Sequence, residues 1–162
     1  MISSAKLALY GRFIATPIGV MVAAATEEAV IYLDFIDETA VDKSSNHPLL
    51  LQLEAELNEY FAGERTLFGV PLSPSGTMFQ KRVWETLCTI PYGLTISYAQ
   101  EAKIFGSPKA TRAVANANGR NPISILIPCH RVISSSGGVG GYSGGLWRKE
   151  FLLALEKEHT KY

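Results

Sequence analysis

Reactive side chains crowd into one stretch of the chain, Ile123-Ser124-Ile125-Leu126-Ile127-Pro128-Cys129-His130-Arg131-Val132-Ile133. An apolar, β-branched run meets a proline and then presents a thiol, an imidazole and a guanidinium in succession. Pro128 fixes its own φ and pushes Ile127 toward extended geometry, so a buried strand is expected to end at Cys129 and to aim its side chain. A thiol attacks as its thiolate, and cationic or hydrogen-bonding neighbours favour that form over a resting pKa of about 8.5. Cys129 has candidates for both. A cysteine beside an apolar strand also reads as an inert core residue. Two features argue for chemistry instead: the glycine-serine loop 137–145 can line a pocket, and a pair of short helices precedes the strand.

Those helices are legible from their punctuation. Residues 75–90 place Phe79, Val83, Leu87 and Ile90 on one helical face, with Ser75 or Thr77 as cap and Cys88 as a core residue. Pro91-Tyr92-Gly93 breaks the chain before Thr95-Ile96-Ser97-Tyr98, and 99–105 reads as a short helix. Gly106-Ser107-Pro108 turns tightly, with Ser107 as N-cap and Pro108 at the first helical position. In the helix 108–118, Ala110, Ala113, Val114 and Ala117 form an inward stripe at i, i+3, i+4 and i+7, while Lys109, Arg112 and Asn116 fall on the other side. Two short helices joined by a glycine-containing turn make a helix-turn-helix, whose second helix usually enters a DNA groove. A last helix covers 147–158.

The first half carries no comparable constellation. Residues 7–15, 20–25 and 29–35 read as three strands of an antiparallel meander. Residues 47–62 set Leu49, Leu53, Leu57 and Phe61 at four-residue spacing, an amphipathic helix with Gly63 as its stop. Leu67-Phe68-Gly69-Val70 reads as a strand inside a Gly- and Pro-containing linker. The chain therefore divides into an N-terminal scaffold, 1–76, and a C-terminal unit, 77–162, in an α+β fold. The formal net charge of zero conceals the same division. Residues 1–76 hold four Lys and Arg against ten Asp and Glu, a balance of −6, and residues 77–162 hold eleven against five, a balance of +6. A basic half beside an acidic one points to a polyanion contacting one surface only.

No apolar run approaches the roughly 20 residues of a membrane span, and no secretory signal opens the chain, so an intracellular, cytoplasmic protein is expected. Its two cysteines, Cys88 and Cys129, fit a reducing compartment. With three histidines they do not make a structural zinc site.

Pro128-Cys129-His130-Arg131-Val132, preceded by Asn121-Pro122 and followed by Gly141-Tyr142-Ser143-Gly144-Gly145-Leu146, resembles the active-site signature of the O6-alkylguanine-DNA alkyltransferases, over residues 77–156. The resemblance implies a ribonuclease-H-like N-terminal domain and a mostly helical C-terminal domain that combines the helix-turn-helix with an active-site strand. It implies a DNA repair protein that extrudes O6-alkylguanine, and also O4-alkylthymine, from duplex DNA, since stacked atoms cannot reach a buried thiol. The alkyl group then passes irreversibly to Cys129. Each molecule works once, because no ordinary water displaces an alkyl group from a thioether. No cofactor and no metal are implied; some relatives carry an N-terminal zinc, but this chain has no cysteine before Cys88. The protein is expected to be a monomer in solution, able to bind cooperatively along DNA.

By the same resemblance Arg112 enters the space left by the extruded nucleotide, with Thr111, Ala113, Lys109 and Asn116 around it on the DNA. Small side chains in a minor groove read little sequence. Tyr98 donates toward the ring N3, Ser143 and the Tyr142-Ser143 backbone face O6, Gly144 adjoins the substrate, and the carbonyls of Cys129 and Val132 accept from the exocyclic amine. Lys149 holds or polarises the pocket. His130 takes the thiol proton through a water, Glu156 orients His130, and Asn121 braces the turn, which is the nucleophile, base and orienting-acid logic of cysteine catalysis. On its own residues, Arg112 could equally contact phosphate alone and Glu156 could be a surface charge on its helix. Relatives that only sense alkylated DNA lack the cysteine, a cysteine hydrolase does not need the helix-turn-helix or the charge division, and the chain is too short for an added regulatory domain.

Overall fold

The computed structural model describes residues 8–37 and 43–160; Leu7, the expected start of the first strand, lies outside them. Strands β1 (Tyr10–Thr16), β2 (Gly19–Ala25) and β3 (Val30–Phe35) form an antiparallel meander in the order β1-β2-β3. Gly19, at φ 122°, makes the first tight turn, and Thr16 Oγ1 closes it by donating to the Gly19 carbonyl at 2.6 Å. Alternation puts Ile14, Met21, Ala23, Ala25, Val30 and Leu33 on the inner face. Helix α1 (Pro48–Phe61) buries Leu50, Leu53, Leu57 and Tyr60. His47 is the N-cap of this helix, with Nδ1 accepting from Leu49 N at 3.2 Å. Its ring stacks on Tyr10 at 4.4 Å.

The segment 67–70 is not a strand. Val70 is buried, and the pairing comes later, where Leu72 bridges Val30 in parallel. Helix α2 (Met78–Leu87) is capped by Thr77 in a capping box with Gln80. Cys88 is exposed at its C-terminus and is not a core residue, because the buried face runs through Val83, Trp84 and Leu87. Strand β4 (Ile96–Ser97) leads into α3 (Tyr98–Phe105), capped by Ser97 with Gln100 and ended by Gly106 at φ 103°. Pro108–Ala110 form a 3₁₀ turn ahead of α4 (Thr111–Gly119). The inward face of α4 is Val114, Ala117 and Asn118, whereas Ala113 is exposed. These residues share one regular helix, and a buried stripe centred on Val114, Ala117 and Asn118 leaves Ala113 about a quarter turn to its side. Trp84 Nε1 donates to the Ala117 carbonyl at 2.9 Å and ties α2 to α4.

The largest departure from expectation lies in 123–128. This run is a buried succession of turns and not a strand, with Ile125 at φ 72°, a region β-branched residues avoid. Only Ile123 keeps strand-like pairing, bridging Leu33 at the free edge of β3 through Leu33 N to Pro122 O at 2.9 Å and Ser124 N to Leu33 O at 2.8 Å. Cys129–Arg131 then form one 3₁₀ turn. Extended structure follows the cysteine, as β5 (Val132–Ile133) pairing parallel with β4. Helix α5 (Leu146–His159) closes the structure. Among the described residues no helix is long and apolar enough to cross a membrane.

Leu53 is fully buried on the face of α1 that covers the sheet. Leu53→Ala should cost about 2–5 kcal/mol in urea denaturation; a loss below about 1 kcal/mol would mean that α1 is not part of the core.

Candidate active site

Cys129 lies 9 % exposed at the floor of a cleft of about 680 Å³. Asn121 builds the floor. Its Oδ1 accepts from Ile123 N at 2.9 Å, and its Nδ2 donates to the Ile127 carbonyl at 2.7 Å and to Cys129 Sγ at 3.3 Å. One buried amide therefore folds the turn and touches the thiol. Burial pushes the Cys129 thiol up to about 11, against the opposing pull of Asn121 and of the Lys149 ammonium. The neighbours expected to favour a thiolate are outweighed, and the thiol rests protonated at neutral pH.

His130 is fully buried, and its Nε2 stands 2.7 Å from Glu156 Oε2. Burial works against the Glu156 carboxylate, but His130 and Arg131 outweigh it and hold its pKa well below the usual range. An ionised carboxylate only accepts, so His130 Nε2 carries the proton of that bond and Nδ1 keeps its lone pair. Nδ1 makes no hydrogen bond. Burial also lowers the His130 pKa, despite Glu156, so the imidazole rests neutral.

Glu156 is 1 % exposed and collects four more bonds: from Arg131 Nε at 2.8 Å and Nη2 at 3.1 Å, from Tyr60 Oη at 2.7 Å, and from Gly93 N at 3.2 Å. It is not a surface charge. Tyr60 and Arg131 have no assigned role in the sequence reading. Arg131 adjoins His130 and was open to notice; Tyr60 reads as one more apolar position of α1, and no spacing relates it to a glutamate 96 residues away.

Lys149 is fully buried, and its Nζ donates to the Val132 carbonyl at 2.6 Å and the Gly141 carbonyl at 3.0 Å, pinning the glycine loop to β5. Burial lowers its pKa to about 8, the Cys129 sulfur opposing. Gly141 N donates to Tyr98 Oη at 3.3 Å. A side chain at Gly140, at φ 78°, would meet Tyr98 Oη at 2.7 Å, so the loop rests against this ring only because it is glycine. Tyr98, Thr111, Arg112, Asn116, Tyr142 and Ser143 line the cleft together with Cys129. Arg112 is exposed at its edge. Lys109 and Ala113 are exposed but do not line it, and Val132, Gly144, Lys149, His130, Asn121 and Glu156 support it from behind.

Glu156→Ala would leave Arg131 buried without a counter-charge, and should cost about 3–5 kcal/mol. Because folding depresses the Glu156 pKa, its contribution is full above the unfolded value of about 4.3 and is lost as pH falls below it. The stability gap between wild type and Glu156→Gln in urea should therefore narrow on acidification from about pH 5 to 3. A constant gap would mean that the carboxylate is not charged in the fold.

Comparison with known proteins gives a consistent result across the chain. Residues 9–74 match the family described as 6-O-methylguanine DNA methyltransferase, ribonuclease-like domain, and residues 78–158 match its DNA binding domain. A methylated-DNA–protein-cysteine methyltransferase of Methanosarcina barkeri is 44% identical over 158 residues, 94% of this chain and 100% of that one. The Mycobacterium leprae protein of the same name is 44% identical over 156 residues, covering 94% of each. The crystal structure of the O6-methylguanine methyltransferase of Mycobacterium tuberculosis superposes with a TM-score of 0.84 at 42% identity, covering 95% of this chain and 96% of that one. A structure of Mycobacterium tuberculosis OGT in complex with DNA gives 0.83 at 44% identity, covering 92% and 93%. The chain thus belongs to the O6-methylguanine DNA methyltransferase family.

Proposed function

We propose that this protein repairs DNA by moving the alkyl group of O6-alkylguanine, and of O4-alkylthymine, onto Cys129 Sγ in a single turnover. The observation that carries the reading is a thiol at the floor of an open cleft, followed in the chain by a buried imidazole that Glu156 holds through Nε2 and whose Nδ1 has no partner. Residues 1–76 act as scaffold and residues 77–162 bind DNA and accept the alkyl group. The exposed side of α4, with Thr111, Arg112 and Asn116 on the cleft and Lys109 and Ala113 beside it, meets the duplex. Arg112 fills the gap left by the extruded nucleotide. The protein works as a monomer and binds cooperatively along DNA.

In the reaction the Cys129 proton passes to His130 Nδ1 through a water, a sulfur–carbon bond forms, and the carbon–O6 bond breaks with its electron pair going to the guanine. Tyr98 supports that developing charge as a donor at N3. Burial raises its pKa, which keeps the donated proton in place at rest. Ser143 and the Tyr142-Ser143 backbone face O6, and Gly144 adjoins the substrate. The Cys129 carbonyl and the second lone pair of the Val132 carbonyl, whose first is held by Lys149, accept from the exocyclic amine. Asn121 and Glu156 hold the nucleophile and the base in register. The thioether has no exit, so the protein is consumed.

Incubation with a duplex carrying one O6-methylguanine, followed by intact mass, should show a gain of one methyl per chain in wild type and none in Cys129→Ser. Release of free guanine or repeated turnover would overturn the reading. Arg112→Ala should slow transfer from duplex by about tenfold or more while leaving transfer from the free alkylated base within about twofold; equal losses on both would remove the finger role.

A further inference from the structure

Glu101 and Asn118 form the one buried polar contact between α3 and α4 that the reaction above does not use. Glu101 is fully buried and Asn118 is 7 % exposed. Asn118 Nδ2 donates to Glu101 Oε1 at 2.7 Å. The other oxygen of each group, Glu101 Oε2 and Asn118 Oδ1, is also buried and has no partner. Two orphaned acceptors on groups already joined at 2.7 Å are costly as they stand. A proton on Oε2 turns one of the two orphans into a donor, and Asn118 Oδ1, on the amide already bonded to this carboxyl, is the unpartnered acceptor for it.

We propose that Glu101 and Asn118 are a neutral carboxylic acid–amide clasp, positioning residues that hold the second helix of the helix-turn-helix, and with it one wall of the cleft, against the helix that carries Tyr98. The proposal rests on the functional reading above. Asn118 itself lines the cleft, and Tyr98 lies one turn before Glu101 on α3. The surroundings leave the carboxyl without a counter-charge. Lys103 on α3, Lys109 on the 3₁₀ turn, Arg112 on α4, and Lys81, Arg82 and Glu85 on α2 are all exposed, and Arg82 lies over the Phe105 ring. Strands β4 and β5 bring no titratable side chain. Tyr98 is the titratable neighbour that feels Glu101. Burial pushes the Glu101 carboxyl up to about 7, with Asn118 opposing. As pH rises through that value the clasp loses its proton, Asn118 Oδ1 faces a carboxylate, and the nearby negative charge makes Tyr98 a weaker donor.

Glu101→Gln keeps the clasp at every pH, since its amide both donates and accepts. Carbon-13 NMR of the wild-type side-chain carboxyl should show a midpoint near 7, and the variant should react with O6-methylguanine duplex as wild type does at about pH 6. By about pH 8.5 the single-turnover rate of the variant should exceed wild type by roughly threefold or more. The ratio cancels the rise from Cys129 ionisation common to both proteins. A midpoint in the ordinary carboxylate range near 4.3, or a ratio independent of pH, would overturn the clasp. If neither protein gained a methyl group at any pH, the functional reading would fall, a result to which the carboxyl titration is blind.

Discussion

The site depends on one ionised carboxylate kept dry. Glu156 accepts from an imidazole, a guanidinium twice, a phenol and a backbone amide, contributed by α1, the 3₁₀ turn that begins at Cys129, and the 90–93 turn. A lone carboxylate at 1 % exposure would cost several kcal/mol of desolvation. Five donors offset that cost only if every contributing element is in place, so the carboxylate makes the fold of both halves a condition for the geometry of His130. The sheet side of the fold thus reaches the site directly: Tyr60 bonds to the carboxylate that also holds His130, and the edge of β3 receives the turn that leads to Cys129.

The same economy explains the turn. An apolar run of β-branched residues would ordinarily extend, and a strand would carry Cys129 away from the cleft. Asn121 substitutes side-chain hydrogen bonds for ladder pairing, and Ile123, Ile125 and Ile127 bury their side chains within a curled backbone. Holding Ile125 at φ 72° is unfavourable. The buried area and the Asn121 bonds, present together only in the folded state, compensate for it.

Much of this was legible in advance, because it rests on local punctuation. Thr77, one of the two caps the sequence offers, and the tight turn at Gly106 mark helix ends locally, and the alternation of 10–35 states its sheet; Ser97, not Ser107, is the serine whose side chain caps a helix. The grouping of Cys129, Tyr98 and Arg112 was reached through a signature, and the cleft brings all three together. What could not be read was set by partners far away in the chain. Periodicity says extended for 123–127, and only the Asn121 side chain and the β3 edge say otherwise. Tyr60 could not be linked to Glu156, and Ala113 faces outward because packing centres the buried stripe of α4 on Val114, Ala117 and Asn118.

The high pKa of the thiol then has a rationale in a protein that is spent by one reaction. A resting thiolate would be alkylated by any small electrophile, and a single-use acceptor would be lost without repairing anything. Burial to 9 % exposure, acting against Asn121 and Lys149, favours the protonated thiol in the open cleft. Deprotonation at neutral pH requires a base, and in the proposed mechanism that base is His130, whose Nδ1 Glu156 leaves without a partner. On that proposal, raising the thiol pKa and supplying the base are two halves of one arrangement: the first suppresses reaction in the open, and the second restores it where the lesion is held.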